Sequence, residues 1–393
     1  MPKTVKRAPT ASKAKIDVAK KAIALHRKLR GKIAVMPKTQ IRDRGDLALV
    51  YTPGVGAVSS AIARDPKLAD VLTWRRNAVA VVSDGSAVLG LGNIGPAAAL
   101  PVMEGKCAIF KRFAGIDAVP IVLSTQEPDA VVQAVRAIAP SFGAIQLEDI
   151  AAPACFAVEE RLSESLDIPV MHDDQHGTAV VALAGVFNAL KVTGRRDVAK
   201  VKVVLNGAGA AGVAIAKLLY AAGFRRIVAC DRQGAVWAGR EGLTDVKAEL
   251  AGLTNAEGER GSLADVVVGA DVLIGISSAG AFTPEMVRSM ASKAIVFGLA
   301  NPIPEILPDI AKAAGAAVVA TGRSDFPNQL NNALVYPGLF RGMLAKRVNR
   351  VTDATKIAAA KALAGFIKRP TADRIVPTIF DKGLHEAMAK SVK

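Results

Sequence analysis

Val201-Lys202-Val203-Val204-Leu205-Asn206-Gly207-Ala208-Gly209-Ala210-Ala211-Gly212 is the stretch on which the fold turns. The apolar run 201–205 reads as a buried strand, and the pattern over 213–219 reads as a helix. Between them, a Gly-x-Gly-x-x-Gly turn supplies a tight bend, close approach of backbone to a pyrophosphate, and close packing of helix on strand. The helix N-terminus adds free N–H groups and partial positive charge. Gly207, Gly209, Ala210, Ala211 and Gly212 are therefore expected to bind a dinucleotide. Asp231 closes the next strand, 226–230, about where an acid accepts hydrogen bonds from an adenosine ribose. That favours NAD, whereas Arg232 beside it would suit the 2′-phosphate of NADP. The same turn can also pack a helix on a strand with no ligand.

Outward from this turn, short apolar runs alternate with helix-length segments. Upstream lie 78–82, 120–123, 144–147 and 169–170; downstream lie 227–229, 272–276, 294–297 and 317–320. The alternation predicts parallel strands joined by crossover helices. At 393 residues the chain is too long for one core. The expected class is α/β with two domains, a Rossmann-like doubly wound parallel sheet plus an N-terminal α/β substrate or catalytic domain. The expected boundaries are a basic flexible tail over 1–15, the N-terminal domain over 16–172, the dinucleotide domain over 173–345, and helices over 346–393 that pack back on the N-terminal domain. Residues 16–29 set apolar Ile16, Ala19, Ile23 and Leu29 among basic ones, which predicts a helix packed on the body or on another subunit.

The net charge of +16 invites a nucleic-acid reading, but much of the excess sits in the first 32 residues, where Asp17 is the only acid. Aromatic residues make up 4% of the chain and none precedes Tyr51, so platforms for stacking bases are scarce. Nucleic acid is not the expected partner. The three cysteines, Cys107, Cys155 and Cys230, are far apart and form no CxxC pair, which argues against a disulfide framework and a thiolate zinc site. A reducing, cytoplasmic location is expected, with an organellar transit peptide as the alternative for the basic start. The longest apolar stretch, 177–190, falls short of the roughly 20 residues of a membrane-spanning helix, so no membrane span is expected.

Glu148 and Asp149 follow one predicted strand, and Asp173 and Asp174 follow the next. Ligands of open parallel sheets bind at the carboxyl ends of strands, so these acids can converge. Grouped carboxylates repel unless a cation or protons intervene, and hard oxygen donors without thiolates favour Mg²⁺ or Mn²⁺. Either pair alone could simply cap a helix. His172 and His176 bracket the aspartates and are assigned to packing or supporting hydrogen bonds. Asn301 and the pair Asn331-Asn332 also follow strands, where neutral amides can meet a carboxylate or a carboxamide, or merely form turns.

Beyond these signals, the chain carries Tyr51-Thr52-Pro53-Gly54-Val55, Ser83-Asp84-Gly85, Leu89-Gly90-Leu91-Gly92-Asn93-Ile94-Gly95, Met103-Glu104-Gly105-Lys106, Leu147-Glu148-Asp149, His172-Asp173-Asp174-Gln175-His176-Gly177-Thr178 and Asn331-Asn332-Ala333-Leu334-Val335-Tyr336-Pro337-Gly338. In this order, and with the glycine turn, they resemble the short bacterial type of malic enzyme over nearly all of the chain after the tail. The resemblance implies divalent-metal-dependent conversion of malate to pyruvate and CO2 with reduction of NAD(P). It implies Lys106 as general base at the malate hydroxyl and Tyr51 as the acid that protonates C3. It implies Glu148, Asp149 and Asp174 as ligands of Mg²⁺ or Mn²⁺, with Asp173 behind them. Asn301 would touch cofactor and substrate, and Asn332 the substrate.

It further implies a homodimer or higher homo-oligomer, with the Tyr51 segment near a site shared between subunits. A lysine base needs its proton affinity lowered by a cation and by burial. One departure stands out. Larger members of the family carry a substrate-binding arginine shortly after the Asp-Gly step, whereas Asp84-Gly85 here continues Ser86-Ala87-Val88. Ser86, Lys111 or Arg112 is then expected to meet the second carboxylate. Two rival classes are a metal-free amino-acid or folate-type dehydrogenase, in which the three acids would be expendable, and a basic nucleic-acid binder with an inactive enzyme fold.

Overall fold

The structure, a computed structural model, describes residues 11–393, with side chains from Asp17 onward. Of the basic stretch 1–15, the first ten residues lie outside the described residues. A helix, Ala11–Leu29, begins within that stretch, ahead of the helix expected from residue 16.

Two sheets organise the chain. β1 (Ala78–Ser83), β2 (Asp117–Val122), β3 (Ala144–Leu147) and β4 (Val170–His172) form an all-parallel sheet in the order β2-β1-β3-β4. β5 (Lys202–Asn206), β6 (Arg226–Asp231), β7 (Gly234–Ala235), β8 (Val272–Gly275), β9 (Ile295–Gly298) and β10 (Val318–Thr321) form the other, in the order β10-β9-β8-β5-β6-β7. Only β7 runs antiparallel in this sheet. It pairs with β6 over two residues, too short to leave an apolar run in the sequence. The other strands fall within a few residues of the predicted runs.

Side chains on successive strand residues point to opposite faces, and the two faces feed different cores. In β1, Val79 and Val81 join one cluster, while Ala78, Ala80 and Val82 join another. In β5, Val203 and Leu205 join the first cluster and Val204 a third. Both sheets are therefore covered on both sides, as parallel sheets require. The cluster common to the two sheets is built around the Asp173–Thr193 helix, whose residues are buried on nearly every side. That helix and the 44–64 segment are long and apolar enough to cross a membrane, but 72% of the first one's apolar window is buried inside the protein. The 44–64 segment is two helices, Arg44–Val50 and Gly54–Arg64, separated by the cis peptide Thr52-Pro53.

The last helices, Asp353–Phe366 and Leu384–Ser391, pack on Asp173–Thr193 and on Tyr336–Lys346, with lighter contact to Pro96–Ala114. In each sheet the strand order reverses beside its first strand: β2 and β3 flank β1, and β6 and β8 flank β5. The crevice at the carboxyl end of such a reversal is where open α/β sheets bind ligands.

Candidate active site

The first reversal places the acids. Glu148 and Asp149 follow β3 directly, and Asp173 and Asp174 open the helix that follows β4. Glu148, Asp149 and Asp173 are buried, and ligand oxygens of Glu148, Asp149 and Asp174 lie within 4.8 Å of one another. Asp174 Oδ2 accepts from the Asp149 amide at 2.8 Å, so the two strand ends are tied together. Asp149 holds a left-handed backbone, φ +54°, a conformation that costs a non-glycine residue energy and recurs at functional sites.

Lys106 reaches the same point from the Pro96–Ala114 helix. Its ammonium donates to Asp173 Oδ2 at 2.6 Å and to Asn332 Oδ1 at 3.3 Å, and lies 2.9 Å from Glu148 Oε1. It also stands 4.8 Å above the Tyr336 ring, within cation–π range. Four carboxylates therefore face one lysine. Burial alone would push the Lys106 ammonium down, but the charges of Asp173 and Glu148 outweigh it and hold the group well above the usual lysine value. Burial and the neighbouring acids push Glu148 up, and they push Asp149 up to about 7. Such a cluster is short of positive charge.

A divalent cation fits that deficit. Asp149 Oδ2 and Asp173 Oδ1 are buried without a hydrogen-bond partner among the described residues, and an orphaned buried oxygen is costly. All-oxygen donors suit Mg²⁺ or Mn²⁺.

Lys106, Glu148, Asp149 and Asp174 line a cleft of about 620 Å³ together with Asn301, Asn331, Asn332 and Tyr336. Ala211, Ile276 and Ser277 belong to it too. Ile276 and Ser277 also line a second cleft of about 830 Å³, which holds Gly207, Gly209, Asp231, Arg232 and Lys247. The glycine turn and the acid cluster thus open onto connected space. Gly207 has φ +131°, and a Cβ there would stand 2.6 Å from the Ile276 carbonyl oxygen. A Cβ on Gly212 would stand 1.8 Å from the Gly207 carbonyl oxygen. Above Gly209 there is open space. The first and last glycines serve the turn, and the middle one leaves room for a ligand.

Asp231 differs from its expected role as a free acceptor. Arg240 donates to both of its oxygens, at 3.0 and 2.5 Å, and Lys247 donates at 2.6 Å. Burial would raise the Asp231 carboxyl, but these two cations hold it well below the usual carboxylate range. Neither partner is recognisable in the sequence, because each lies beyond an irregular loop.

Four other sequence readings meet a different placement. Tyr51 is 66% exposed and does not line the acid cleft. Ser86 Oγ is spent between Asp84 Oδ1 and the Ala151 amide, at 2.6 and 2.8 Å. Lys111 pairs with Asp117 at 2.7 Å. Arg112 lies over the Phe113 ring in a separate pocket with Phe380 and His385. None of these stands ready to meet a carboxylate in the cleft.

His176 is turned to Glu159, whereas buried His172 sets its Nε2 3.9 Å from Asp174 Oδ2. His176 Nε2 lies 2.9 Å from Glu159 Oε2, and Glu159 also accepts from the His172 amide at 2.7 Å and from Gln175 at 3.0 Å. Glu159 is thus a node that fixes the start of the helix carrying Asp173 and Asp174. Fully buried Glu305 does the same for the second sheet, accepting from the Ser277 and Ala300 amides at 2.8 and 3.0 Å. Sequence reading overlooked both, since a lone glutamate in a helix or loop looks like a surface charge. Glu305 follows Asn301 by four residues, which is the one available hint.

Comparison with known proteins agrees with this architecture. The family description "Malic enzyme, N-terminal domain" matches residues 30–163, and "Malic enzyme, NAD binding domain" matches residues 175–382. A bifunctional malic/malolactic enzyme of Bacillus subtilis is 52% identical over 96% of this chain and 92% of its own length. An NAD-dependent malic enzyme of Geobacillus stearothermophilus is 50% identical over 96% of this chain and 78% of its own length. The crystal structure of an NAD-dependent malic enzyme from Thermotoga maritima superposes with a TM-score of 0.92 at 48% identity, covering 95% of this chain and 98% of that one. On these grounds the chain belongs to the malic enzyme family.

Proposed function

We propose that the protein catalyses the oxidative decarboxylation of (S)-malate to pyruvate and CO2 with reduction of NAD(P), in dependence on Mg²⁺ or Mn²⁺. The observation that carries this reading is the convergence of Glu148, Asp149, Asp173 and Asp174 with Lys106, in a cleft that opens onto the glycine turn. Glu148, Asp149 and Asp174 would hold the metal. When bound, the ion would chelate the malate hydroxyl and adjacent carboxylate, offset the acids that retain the Lys106 proton, and serve as electron sink for decarboxylation. The dinucleotide would accept the C2 hydride.

The chain's own residues do the rest. Lys106, freed of its proton, takes the hydroxyl proton, and Asp173 at 2.6 Å orients the amine and shares that proton. Asn332 steers Lys106 through its amide oxygen, and Asn301 presents its amide at the junction of the cleft with β9. The acid that protonates C3 is assigned to Tyr51.

Tyr51 is exposed and does not line the acid cleft of its own chain, so we place it at the cleft of a second copy and propose a homodimer or higher homo-oligomer as the active form. Supporting this, no residue from Asp17 to Asn77 is buried, although this segment carries Leu25, Leu29, Leu49, Tyr51 and Trp74 on its surface. An apolar surface of this extent fits a subunit interface. The domain division is proposed near residue 172, between β4 and the Asp173–Thr193 helix; the closing helices from about residue 346, expected on the first domain, pack mainly on Asp173–Thr193 and Tyr336–Lys346 and touch the first domain at Pro96–Ala114. A cytoplasmic setting suits the three cysteines, all buried free thiols.

For the dinucleotide we favour NAD, because an acid ends β6. Arg232, Arg240 and Lys247 around that acid make NADP the reading to measure against it. The test is absorbance of reduced nicotinamide with malate, Mg²⁺ or Mn²⁺, and each dinucleotide in turn, with pyruvate and lactate assayed at the end point. Metal-dependent reduced cofactor matched by pyruvate supports the proposal. Absence of turnover with both cofactors overturns it. Lactate without reduced cofactor would instead align the chain with the malolactic activity named for the Bacillus relative.

A further inference from the structure

Malate carries two carboxylates. In the proposed reaction the one beside the hydroxyl faces the acid cluster, and the remote one departs as CO2. A carboxylate entering a cleft lined by Glu148, Asp149 and Asp174 needs a cation of its own. The three groups expected from the sequence to meet this carboxylate are engaged elsewhere.

Among the described residues, the acid cleft is lined by two basic side chains, Lys106 and Lys32. Lys106 is enclosed by Asp173 and Glu148. Lys32 is not paired in this way. Its ammonium donates to the Pro101 carbonyl at 2.5 Å and would lie 3.7 Å from a Cβ on Gly105. Of its three N–H groups, two have no acceptor among the described residues.

Lys32 is held there by design of the chain around it. Arg30 and Gly31 turn the backbone after the Ala11–Leu29 helix with φ of +56° and +109°. The Glu104 side chain packs against Gly31, where a Cβ would stand 2.9 Å from its oxygen, and it accepts from the Lys32 amide at 3.1 Å. Pro101, Val102, Gly105, Lys106 and Ile109 form the stripe of the Pro96–Ala114 helix that faces the cleft. Lys32 sits over the first turn of that stripe and Lys106 on the second. The absence of a side chain on Gly105 keeps the space between them open. Burial pushes the Lys32 ammonium below the usual lysine value, with Glu104 opposing it, so a second carboxylate would recover part of the lost solvation.

We infer that Lys32 binds the malate carboxylate remote from the hydroxyl, and so selects dicarboxylic over monocarboxylic 2-hydroxy acids. The inference rests on the malate reading above. The remote carboxylate keeps its full charge while the hydride leaves C2, so Lys32 binds substrate and hydride-transfer transition state alike. Removing its charge should therefore raise KM with little change in kcat.

The experiment compares wild type, Lys32→Gln and Lys32→Arg, each with metal and dinucleotide. Glutamine keeps a donor for the Pro101 carbonyl and removes the charge; arginine keeps the charge. For Lys32→Gln the expected result is a KM for malate raised roughly ten- to hundredfold, with kcat within about threefold. The inhibition constant of oxalate, which can chelate the metal but has no remote carboxylate, should stay within about threefold, and Lys32→Arg should restore most of the malate affinity. An unchanged KM in Lys32→Gln, or equal weakening of malate and oxalate, would overturn the inference. So would a Lys32→Arg enzyme as impaired as Lys32→Gln. If Lys32→Gln does not fold, the inference is judged on Lys32→Arg, whose malate KM must then stay within about tenfold of wild type. Failure of wild type to turn over malate would overturn the reaction itself, and is seen before any variant is compared.

Discussion

The segment Asp17–Asn77 and the centre that begins at Ala78 are built on opposite terms. In the first, no residue is buried, and Leu49 and Tyr51 are 76% and 66% exposed. In the second, β1 is buried along its whole length, and Lys106, Glu148, Asp149 and Asp173 are enclosed. The buried half contains the proposed base, the proposed metal donors and the glycine turn. The exposed half contains the one tyrosine that the reaction would use as an acid. A chain that buries its charges and exposes its apolar helices is energetically incomplete alone, because both arrangements are costly unless something covers the helices and something offsets the charges.

The largest expected effects lie in the buried half. Lys106→Met should lower kcat by roughly a thousandfold. Leaving Asp173 and Glu148 without their partner should also cost about 3–5 kcal/mol of stability when metal is absent. Steady-state rates and thermal denaturation, each with and without Mg²⁺, measure both. A variant that keeps more than about a tenth of wild-type kcat would remove Lys106 from the base role.

Tyr51→Phe should lower kcat by roughly a hundredfold and leave the thermal midpoint unchanged, since the exposed hydroxyl has no hydrogen-bond partner among the described residues. The comparison between the halves is sharpened by mixing. Tyr51→Phe and Lys106→Met, each nearly inactive, are unfolded and refolded together. If the tyrosine of one copy serves the cluster of the other, mixed dimers contain one intact site, and about a quarter of wild-type activity returns. A mixture no more active than its components would place Tyr51 and Lys106 of each site on the same chain.

The halves also differ in how much of them could be read from the sequence. The sheets were legible because their strands are buried on both faces and so appear as plain apolar runs; only two-residue β7 escaped. The cluster of Glu148, Asp149 and Asp174 was legible because each acid stands where an apolar run stops. Lys32, Glu159, Glu305, Arg240 and Lys247 were not, since their importance comes from partners that only the folded chain brings together. Lys32 meets Pro101 from beyond the first helix, and Lys247 meets Asp231 from the Asp245–Leu253 helix beyond β7. The choice of Ser86, Lys111 or Arg112 as carboxylate binder failed for a related reason. Nearness in sequence to the vacant arginine position guided it, whereas Asp84, Asp117 and Phe113 already engage these groups.

A smaller effect is expected in the dinucleotide cleft. Lys247→Ser removes one of two cations from Asp231 and one positive charge facing the cleft. NADP use should fall about tenfold relative to NAD, measured as the ratio of kcat/KM values. An unchanged ratio would mean that Lys247 serves Asp231 alone.

The smallest effect is one of pH on the protein without metal. Burial raises the carboxyls of Glu148, Asp149 and Asp173, with neighbouring acids adding to it, and Asp149 reaches about 7. In the unfolded chain such groups titrate near 4. Between about pH 4 and about pH 7 the folded cluster thus binds more protons than the unfolded chain, so stability falls as pH rises through that window. Asp231 has the opposite sign, but its contribution is already complete above the unfolded carboxylate range; His385, lowered by burial, also opposes the slope but is one group against three raised acids. The thermal midpoint of metal-free protein should therefore drop by a few degrees between about pH 5 and about pH 7.5. Saturating Mg²⁺ should reverse the slope, because a bound cation favours the ionised acids. Asp149→Asn should shrink the metal-free slope without abolishing it, since Glu148 and Asp173 remain. A midpoint that rises over this window without metal, and ignores Mg²⁺, would show that protons are not what relieves the buried acids, and the contrast between the two halves would lose its electrostatic basis.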